Sequence, residues 1–243
     1  MNSSRRFQLN VKQAVIPLLL LVLGIGFSIY VVEFPQDKIV GRFISYEKIL
    51  KLLWQHIYIV LLSSGLAIFT SVPLGILLTR LRFKKFAPRV VNVVNIGQTI
   101  PSLAIVALLV GILGIGAQAA ILALWIYSLL PILNNTLVGI LEVDHAIIEA
   151  ARGMGMKPGR ILTRIEIPLA LSIIIAGIRT ALTINIGTAI LAGFVGAGGL
   201  GDLIISGNNI SRWQILVLGA SLPALMAILA DYLFGLLEEQ LIH

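Results

Sequence analysis

Few residue types in this 243-residue chain could carry covalent or metal chemistry. There is no cysteine, and the three histidines, His56, His145 and His243, are far apart and lack the spacing of metal ligands. No nucleophile and base stand out as a catalytic pair. The sequence therefore predicts no metal site, no disulfide, no bound cofactor and no enzymatic activity in this chain.

One run, Gly-Ala-Gly-Gly-Leu-Gly at residues 196–201, matches a nucleotide-binding pattern. Dinucleotide binding through G-x-G-x-x-G requires a preceding strand and a following helix within a βαβ unit. Here the run follows a long apolar segment, so we interpret it as a tight turn. The chain also lacks G-x-x-x-x-G-K-[ST], which means that it cannot bind ATP through a P-loop.

Apolar residues dominate the composition, with 58% hydrophobic residues, 12% charged residues and a mean hydropathy of +1.01. A soluble domain carries about 25% charged residues. Six apolar runs approach the ~20 residues that a spanning helix needs. They cover residues 14–32, 57–78, 90–113, 119–141, 168–194 and 213–237. We predict an all-α membrane protein with six transmembrane helices. Its scattered basic residues, without interleaved aromatics, argue against nucleic-acid binding.

The distribution of lysine and arginine between the spans predicts the orientation of the chain. Twelve of the 18 lie in alternate segments, namely the N-terminus, residues 80–89 and the loop at residues 142–167. Five lie in the opposite segments, and Arg179 lies inside a span. The positive-inside rule therefore places both termini and the 142–167 loop in the cytoplasm, an N-in/C-in topology.

The 142–167 loop is the one long polar passage between the apolar segments of the second half. It begins as a predicted amphipathic helix, with apolar residues at i, i+3, i+4 and i+7: Ile147, Ala150, Ala151 and Met154. Glu149 points away from this face, and Gly155 with Pro158 predicts the helix end. A short helix cannot bury its apolar face alone. We therefore interpret the loop as a docking element for another protein.

The same loop resembles the EAA loop of ABC-importer permeases. It reads Glu149-Ala150-Ala151, three residues, Gly155, nine residues and then Ile165-Glu166-Ile167-Pro168, with Ile167 where the family form has leucine. In that family the loop contains the coupling helix, which sits in a groove of the cytoplasmic ATPase. The resemblance implies that the helix residues couple this chain to an ATPase: Glu149, Ala150, Ala151, Met154 and Gly155.

Further stretches are similar to one branch of these permeases, the glycine betaine/carnitine/choline osmoprotectant importers. They lie at residues 95–103, 130–136, 176–180 and 198–202. The likeness runs from about residue 53 to residue 236 and implies a type I core of five helices, to which this chain adds one N-terminal helix. We therefore divide the chain into an N-terminal transmembrane helix with an external segment (1–52) and a permease domain (53–243).

The resemblance also implies a set of partners in a bacterial cytoplasmic (inner) membrane. They are two copies of an ATP-binding subunit that carries the ATP and magnesium, a second permease subunit (identical or paralogous) and an external substrate-binding protein. An amino acid such as methionine stays open as the alternative substrate, because the binding protein largely makes that choice. An ion-driven secondary carrier is disfavoured because the spans lack an acidic residue apart from Asp231.

Polar residues inside the spans indicate either a translocation path or hydrogen bonds between packed helices. The candidates for the path are Gln98, Thr99, Pro101, Asn185 and Thr188. The first three also predict a broken or kinked helix. Arg179 is the one basic residue well inside a span, and Asp231 is the one acid. An ion pair would lower the cost of both, although Asp231 is expected nearer the cytoplasmic end, and we expect a structural role for Arg179.

Overall fold

Every regular element in the part of the chain that the structure describes is helical. The structure is a computed structural model that describes residues 3–241, with side chains from residue 15 to residue 240. Its α-helices are α1 (Ser3–Glu33), α2 (Lys38–Phe43), α3 (Tyr46–Leu78), α4 (Ala87–Thr99), α5 (Ser102–Leu113), α6 (Ala117–Leu141), α7 (His145–Gly153), α8 (Pro158–Ile161), α9 (Ile167–Thr188), α10 (Gly201–Asn209) and α11 (Trp213–Leu241). The prediction of an all-α protein is confirmed for these residues.

Five helices are long and apolar enough to cross a membrane, and a sixth crossing requires α4 and α5 to count as one broken span. The five are α1, α3, α6, the stretch Pro158–Val195 that contains α9, and α11. Helix α3 begins at Tyr46, well before the predicted start at residue 57. The cause is a cap, since the Ser45 hydroxyl accepts a hydrogen bond from the Lys48 amide at 3.2 Å. The sixth span and the N-in/C-in orientation stay predictions.

The predicted third span is broken at Pro101, where α4 and α5 meet at an angle of 94°. Ile100 and Pro101 have extended backbone, with ψ angles of 132° and 131°. Proline disfavours a helical residue before it and has no amide hydrogen to donate, so the helix cannot continue smoothly through this point. The prediction of a broken helix at Gln98 to Pro101 is confirmed.

Helix α6 lies at the centre of the fold, where it packs against α3 and α9 and also contacts α4 and α5. Glycines allow these helices to approach closely. A Cβ atom on Gly177 of α9 would lie 2.5 Å from Cβ of Asn135, and one on Gly75 of α3 would lie 2.7 Å from Cγ2 of Thr136. Such contacts through small residues are typical of helices packed in membranes.

Helix α1 and the segment after it share an apolar core with the far end of the chain. Val31 and Val40 are fully buried in a cluster completed by residues of α10 and α11. Asp37 caps α2 and lies 2.5 Å from the Arg212 guanidinium. A hydrogen bond from the Val40 amide, together with Arg212, holds the pKa of Asp37 below its usual value. The N-terminal segment therefore packs as part of the fold.

Candidate functional site

Helix α7 of the 142–167 loop is short but capped at both ends. At its start the Asp144 carboxylate accepts a hydrogen bond from the Ala146 amide at 2.8 Å. At its end the amide of Met156 donates to Ala151 at 3.1 Å, and the amide of Gly155 donates to Arg152 at 2.9 Å. Gly155 has a φ of +78°, so this is a Schellman motif that ends the helix at the predicted place.

One side of α7 packs against its own loop. Ile148 and Ala151 are buried with Val143 and Ile161, and Met156 of the Schellman motif packs against this small core. We predicted Ala151 on the same apolar face as Ile147, Ala150 and Met154, but its side chain points into the loop. The reason is that the chain returns after Gly155 and brings Ile161 against the helix.

A second side of α7, next to the buried one, carries an apolar face without a partner among the described residues. It consists of Ile147, Ala150 and Met154, and Met154 is 75% exposed. At 100° per residue these positions lie about 100° to 160° around the helix from Ile148. Glu149 is exposed on another side of the helix. The loop therefore presents a rigid helix whose outer side is apolar and open to another molecule.

An ion pair that the sequence analysis missed ties the loop to α3. The carboxylate of Glu166, which is 7% exposed, accepts a hydrogen bond from the Arg80 guanidinium. The same guanidinium donates to the Thr79 hydroxyl at 2.7 Å. The signal available in the sequence was that Glu166 is the one acid between Lys157 and Arg179. This contact couples the last turn before α9 to the end of α3.

The α4–α5 break is held by Tyr127 of α6. The Gln98 amide donates to the backbone oxygen of Tyr127 at 2.7 Å, and the Tyr127 hydroxyl donates to the backbone oxygen of Ile100. Thr99 is exposed and donates to its own helix at Ile96. Pro101 is exposed at the bend. Nothing in the sequence distinguishes Tyr127 from the other tyrosines, so its role is visible only in the fold.

Asn185 belongs to a separate polar network between α3 and α9. Its side-chain nitrogen donates to the hydroxyls of Ser63 and Ser64 at 2.7 and 2.8 Å, and Asn185 is 1% exposed. The fully buried His56 lies near the same helix pair, with Nε2 3.0 Å from the backbone oxygen of Ile186. Asn185 therefore packs between two helices in this conformation.

The candidate path residues thus fall into two groups rather than one cluster. Thr188 lies one turn beyond Asn185 and is half-buried. Its hydroxyl donates a hydrogen bond to the backbone oxygen of Ile184 in the same helix. Within the described residues, no hydrogen bond joins these α9 positions to Gln98 at the break. Their assignment to a translocation path stays a prediction, and it requires that α9 and the α4–α5 pair border the same passage.

Arg179 and Asp231 form the ion pair that the sequence left undecided. The Arg179 guanidinium donates in a two-pronged geometry, with Nε 2.5 Å from Oδ1 of Asp231 and Nη2 2.7 Å from Oδ2. Nη1 also lies 3.4 Å from Glu238. Helix α9 thereby joins α11. Both side chains of the pair are partly exposed, so a structural role agrees with the geometry better than a closed substrate site.

The glycine run at residues 196–201 forms a turn that leads into α10. Gly198 and Gly199 have φ angles of +78° and +87°, which L side chains rarely adopt. The Gly199 amide donates to the side chain of Gln55 at 3.2 Å, and Gly201 lies against the backbone oxygen of Ile190. No strand precedes the run in the described part of the chain, which confirms its interpretation as a tight turn.

Residues 71–243 of the chain match the family described as the binding-protein-dependent transport system inner membrane component. The chain belongs to this family. The permease is 43% identical to the glycine betaine/carnitine/choline transport system permease protein OpuCD of Bacillus subtilis (strain 168), over 79% of this chain and 84% of that one. It is 42% identical to the osmoprotectant import permease protein OsmY of Salmonella typhimurium, over 74% and 77% of the two chains.

The fold of the permease is also similar to a solved structure, an inward-facing conformation of the MetNI methionine ABC transporter. The TM-score is 0.74 over 82% of this chain and 99% of that one, with 23% sequence identity. The resemblance of the 142–167 loop to importer permeases, and of other stretches to the osmoprotectant branch, is confirmed by the family and its relatives. This chain is a permease component of that branch.

Proposed function

We propose that this permease is the transmembrane subunit of an ATP-driven importer of quaternary-ammonium osmoprotectants, such as glycine betaine, carnitine and choline. The names of its relatives support the substrate class. The observation that carries the ATP-driven mechanism is the exposed apolar face of α7, because a capped helix with an open apolar side fits the groove of a partner protein.

The proposed complex contains two copies of a cytoplasmic ATPase, which hold the ATP and magnesium, and a second permease subunit. An external binding protein delivers the solute. In this arrangement the chain lies in the cytoplasmic membrane of a bacterium, with six spans, both termini inside and α7 facing the cytoplasm. The excess of lysine and arginine in the 80–89 and 142–167 segments supports this orientation.

In the mechanism that we propose, a movement of α7 is transmitted to the membrane spans. Closure of the ATPase dimer on ATP would move the groove that holds α7, and the Arg80–Glu166 pair would pass this movement to α3. The spans would then rock to open the path outward to the loaded binding protein, and hydrolysis would reset them. The ATPase must contact α7 differently in the two states, because only differential contact can shift the equilibrium.

The test is a charged residue on the exposed face of α7. Met154→Glu would bury a carboxylate at the docked interface, which costs about 2–4 kcal/mol and should weaken ATPase binding by at least about tenfold. ATPase recovered with the tagged permease and uptake of radiolabelled glycine betaine should both fall. Thr163→Glu, which adds the same charge at an exposed position of the same loop, is the matched control.

Normal uptake by the Met154→Glu variant would exclude α7 as the coupling element. Equal losses in both variants would indicate a general effect of charge on the loop. The substrate class is tested separately by calorimetry on the cognate binding protein, where binding of methionine without binding of glycine betaine would overturn the osmoprotectant assignment.

A further inference from the structure

A cavity of about 460 Å³ lies between the end of α3, the end of α6 and the 142–167 loop. Its walls combine apolar residues of α6 and the loop with a set of basic side chains: Arg80, Arg82, Lys84 and Arg152, with His145 beside them. Glu166 is the one carboxylate among the lining residues. A space of this size and charge can hold an anionic group.

The basic side chains of the cavity are poorly neutralised by the protein itself. Glu166 is already engaged by Arg80. The ion pairs formed within the described residues do not include Arg82, Lys84 or Arg152. Several like charges around one space repel each other, and an anion placed among them would remove that repulsion. The cavity therefore favours a ligand with at least one full negative charge.

The cavity is separate from the proposed ATPase contact. The α7 residues that line it are His145, Ile148 and Arg152, which lie on one side of the helix. The exposed apolar face of Ile147 and Met154 is centred about 140° away, at 100° per residue. A ligand in the cavity and a protein on the outer face can therefore bind α7 at the same time.

The cavity also lies where two spans end, at the level of a membrane surface. Its apolar rim includes Leu81, which is 93% exposed three residues after the end of α3, and the half-exposed Leu141 at the end of α6. An exposed leucine beside a cluster of basic residues is typical of a segment that rests at the boundary between acyl chains and headgroups. Basic pockets between helices at a membrane surface are suited to anionic lipid headgroups.

We propose that this cavity binds the headgroup of an anionic phospholipid, such as phosphatidylglycerol. The guanidinium groups of Arg82 and Arg152 and the ammonium group of Lys84 would bind the phosphate oxygens, and the acyl chains would leave past Leu81. The lipid would tie α7 to the α3–α4 segment and so favour one position of the loop. The site requires that the chain span a membrane, and it does not depend on the transported solute.

The test uses the purified full-length permease in mild detergent, without substrate or ATPase, so that its result is independent of the proposed function. Added phosphatidylglycerol should raise Tm by about 5 °C more than phosphatidylcholine does. Native mass spectrometry should show about one molecule of phosphatidylglycerol retained. Inorganic phosphate at the same concentration should leave Tm unchanged, because it lacks the acyl chains that hold a lipid at the rim.

Two double variants with equal loss of charge locate the site. Arg82→Gln/Lys84→Gln removes two lining residues, and Lys85→Gln/Arg89→Gln removes two charges from the same segment that do not line the cavity. All four side chains are exposed, so both proteins should fold. We expect the first variant to lose the retained lipid and most of the Tm shift, while the second keeps both.

Three results would overturn the proposal. The first is an equal shift with phosphatidylglycerol and phosphatidylcholine, and the second is an equal loss in the two double variants, which would indicate diffuse attraction. The third is an unchanged lipid shift in Arg82→Gln/Lys84→Gln, which would show that these side chains do not bind the headgroup. If a separate purification of this variant then recovered less ATPase, the cavity would be assigned to an acidic segment of that protein.

Discussion

Arg179 shows how a charged residue can be kept inside an apolar segment of this chain. Its guanidinium is paired in a two-pronged geometry with Asp231 and lies near Glu238, so the charge is compensated across α9 and α11. A charge in a membrane helix is costly unless it finds a partner or reaches water. The side chain of Arg179 is 32% exposed, which reduces that cost but also weakens the pair.

We expect Asp231→Asn to lower the unfolding free energy by about 1–2 kcal/mol, because Arg179 loses its main partner. Arg179→Gln should cost a similar amount, and the double variant should cost less than the sum of the two. Thermal denaturation of all three in detergent gives the coupling energy. The control is Glu238→Gln. The carboxylate of Glu238 lies farther from Arg179 than that of Asp231 does, so its removal should lower the unfolding free energy less. Strictly additive losses would show that the pair contributes no coupling.

The α4–α5 pair is the element whose geometry depends most on a distant side chain. The bend leaves backbone groups near Pro101 outside any helix, and such groups need partners within a membrane. Tyr127 of α6 supplies one partner through its hydroxyl and accepts another hydrogen bond from Gln98 at its backbone oxygen. One residue of α6 thus stabilises the end of α4 at the break through two hydrogen bonds.

Tyr127→Phe should lower the unfolding free energy by about 1–2 kcal/mol, because the Ile100 carbonyl loses its donor. If the break borders the path, uptake of glycine betaine should also fall. Tyr58→Phe is the matched control, since Tyr58 is half exposed on α3 and its hydroxyl makes no hydrogen bond within the described residues. An equal Tm for Tyr127→Phe and the unaltered protein would show that the hydroxyl does not hold the break.

At the scale of the whole molecule, the N-terminal part of the chain (residues 1–52) packs against the permease domain (53–243). The N-terminal helix is not a detached anchor, because Val31 and Val40 share a core with α10 and α11.

The number of membrane crossings depends on α4 and α5. These helices make either one broken span or a re-entrant pair that returns to the same side of the membrane. A re-entrant pair would leave five spans, and the two termini would then lie on opposite sides of the membrane.

The absence of native cysteine allows the topology to be measured directly with single-cysteine variants. Lys84→Cys and Gly153→Cys should react with a membrane-impermeant maleimide only after permeabilisation. Ile115→Cys and Asn208→Cys should react in intact cells. All four positions are exposed, and the unaltered chain is the unlabelled control. Reaction of Ile115→Cys from the same side as Lys84→Cys would make the pair re-entrant and exclude the six-span topology.

The sequence by itself determined the all-α class, the positions of the long apolar helices, the break at Pro101 and the end of α7 at Gly155. Each of these features depends only on residues that are close in sequence. They are the length of an apolar run, a proline that has no amide hydrogen to donate, and a glycine that tolerates a positive φ. The likeness of the 142–167 loop to the family could be read in the same way, since the motif is contiguous.

The tertiary structure alone decided which distant residues meet. It paired Arg80 with Glu166, placed Tyr127 against Ile100 and turned Ala151 into the loop core while leaving Ile147 and Met154 exposed. Helical periodicity gives the faces of a helix but not the neighbour that each face meets. That choice follows from how the chain returns on itself, because burial and ion pairing depend on residues far apart in sequence.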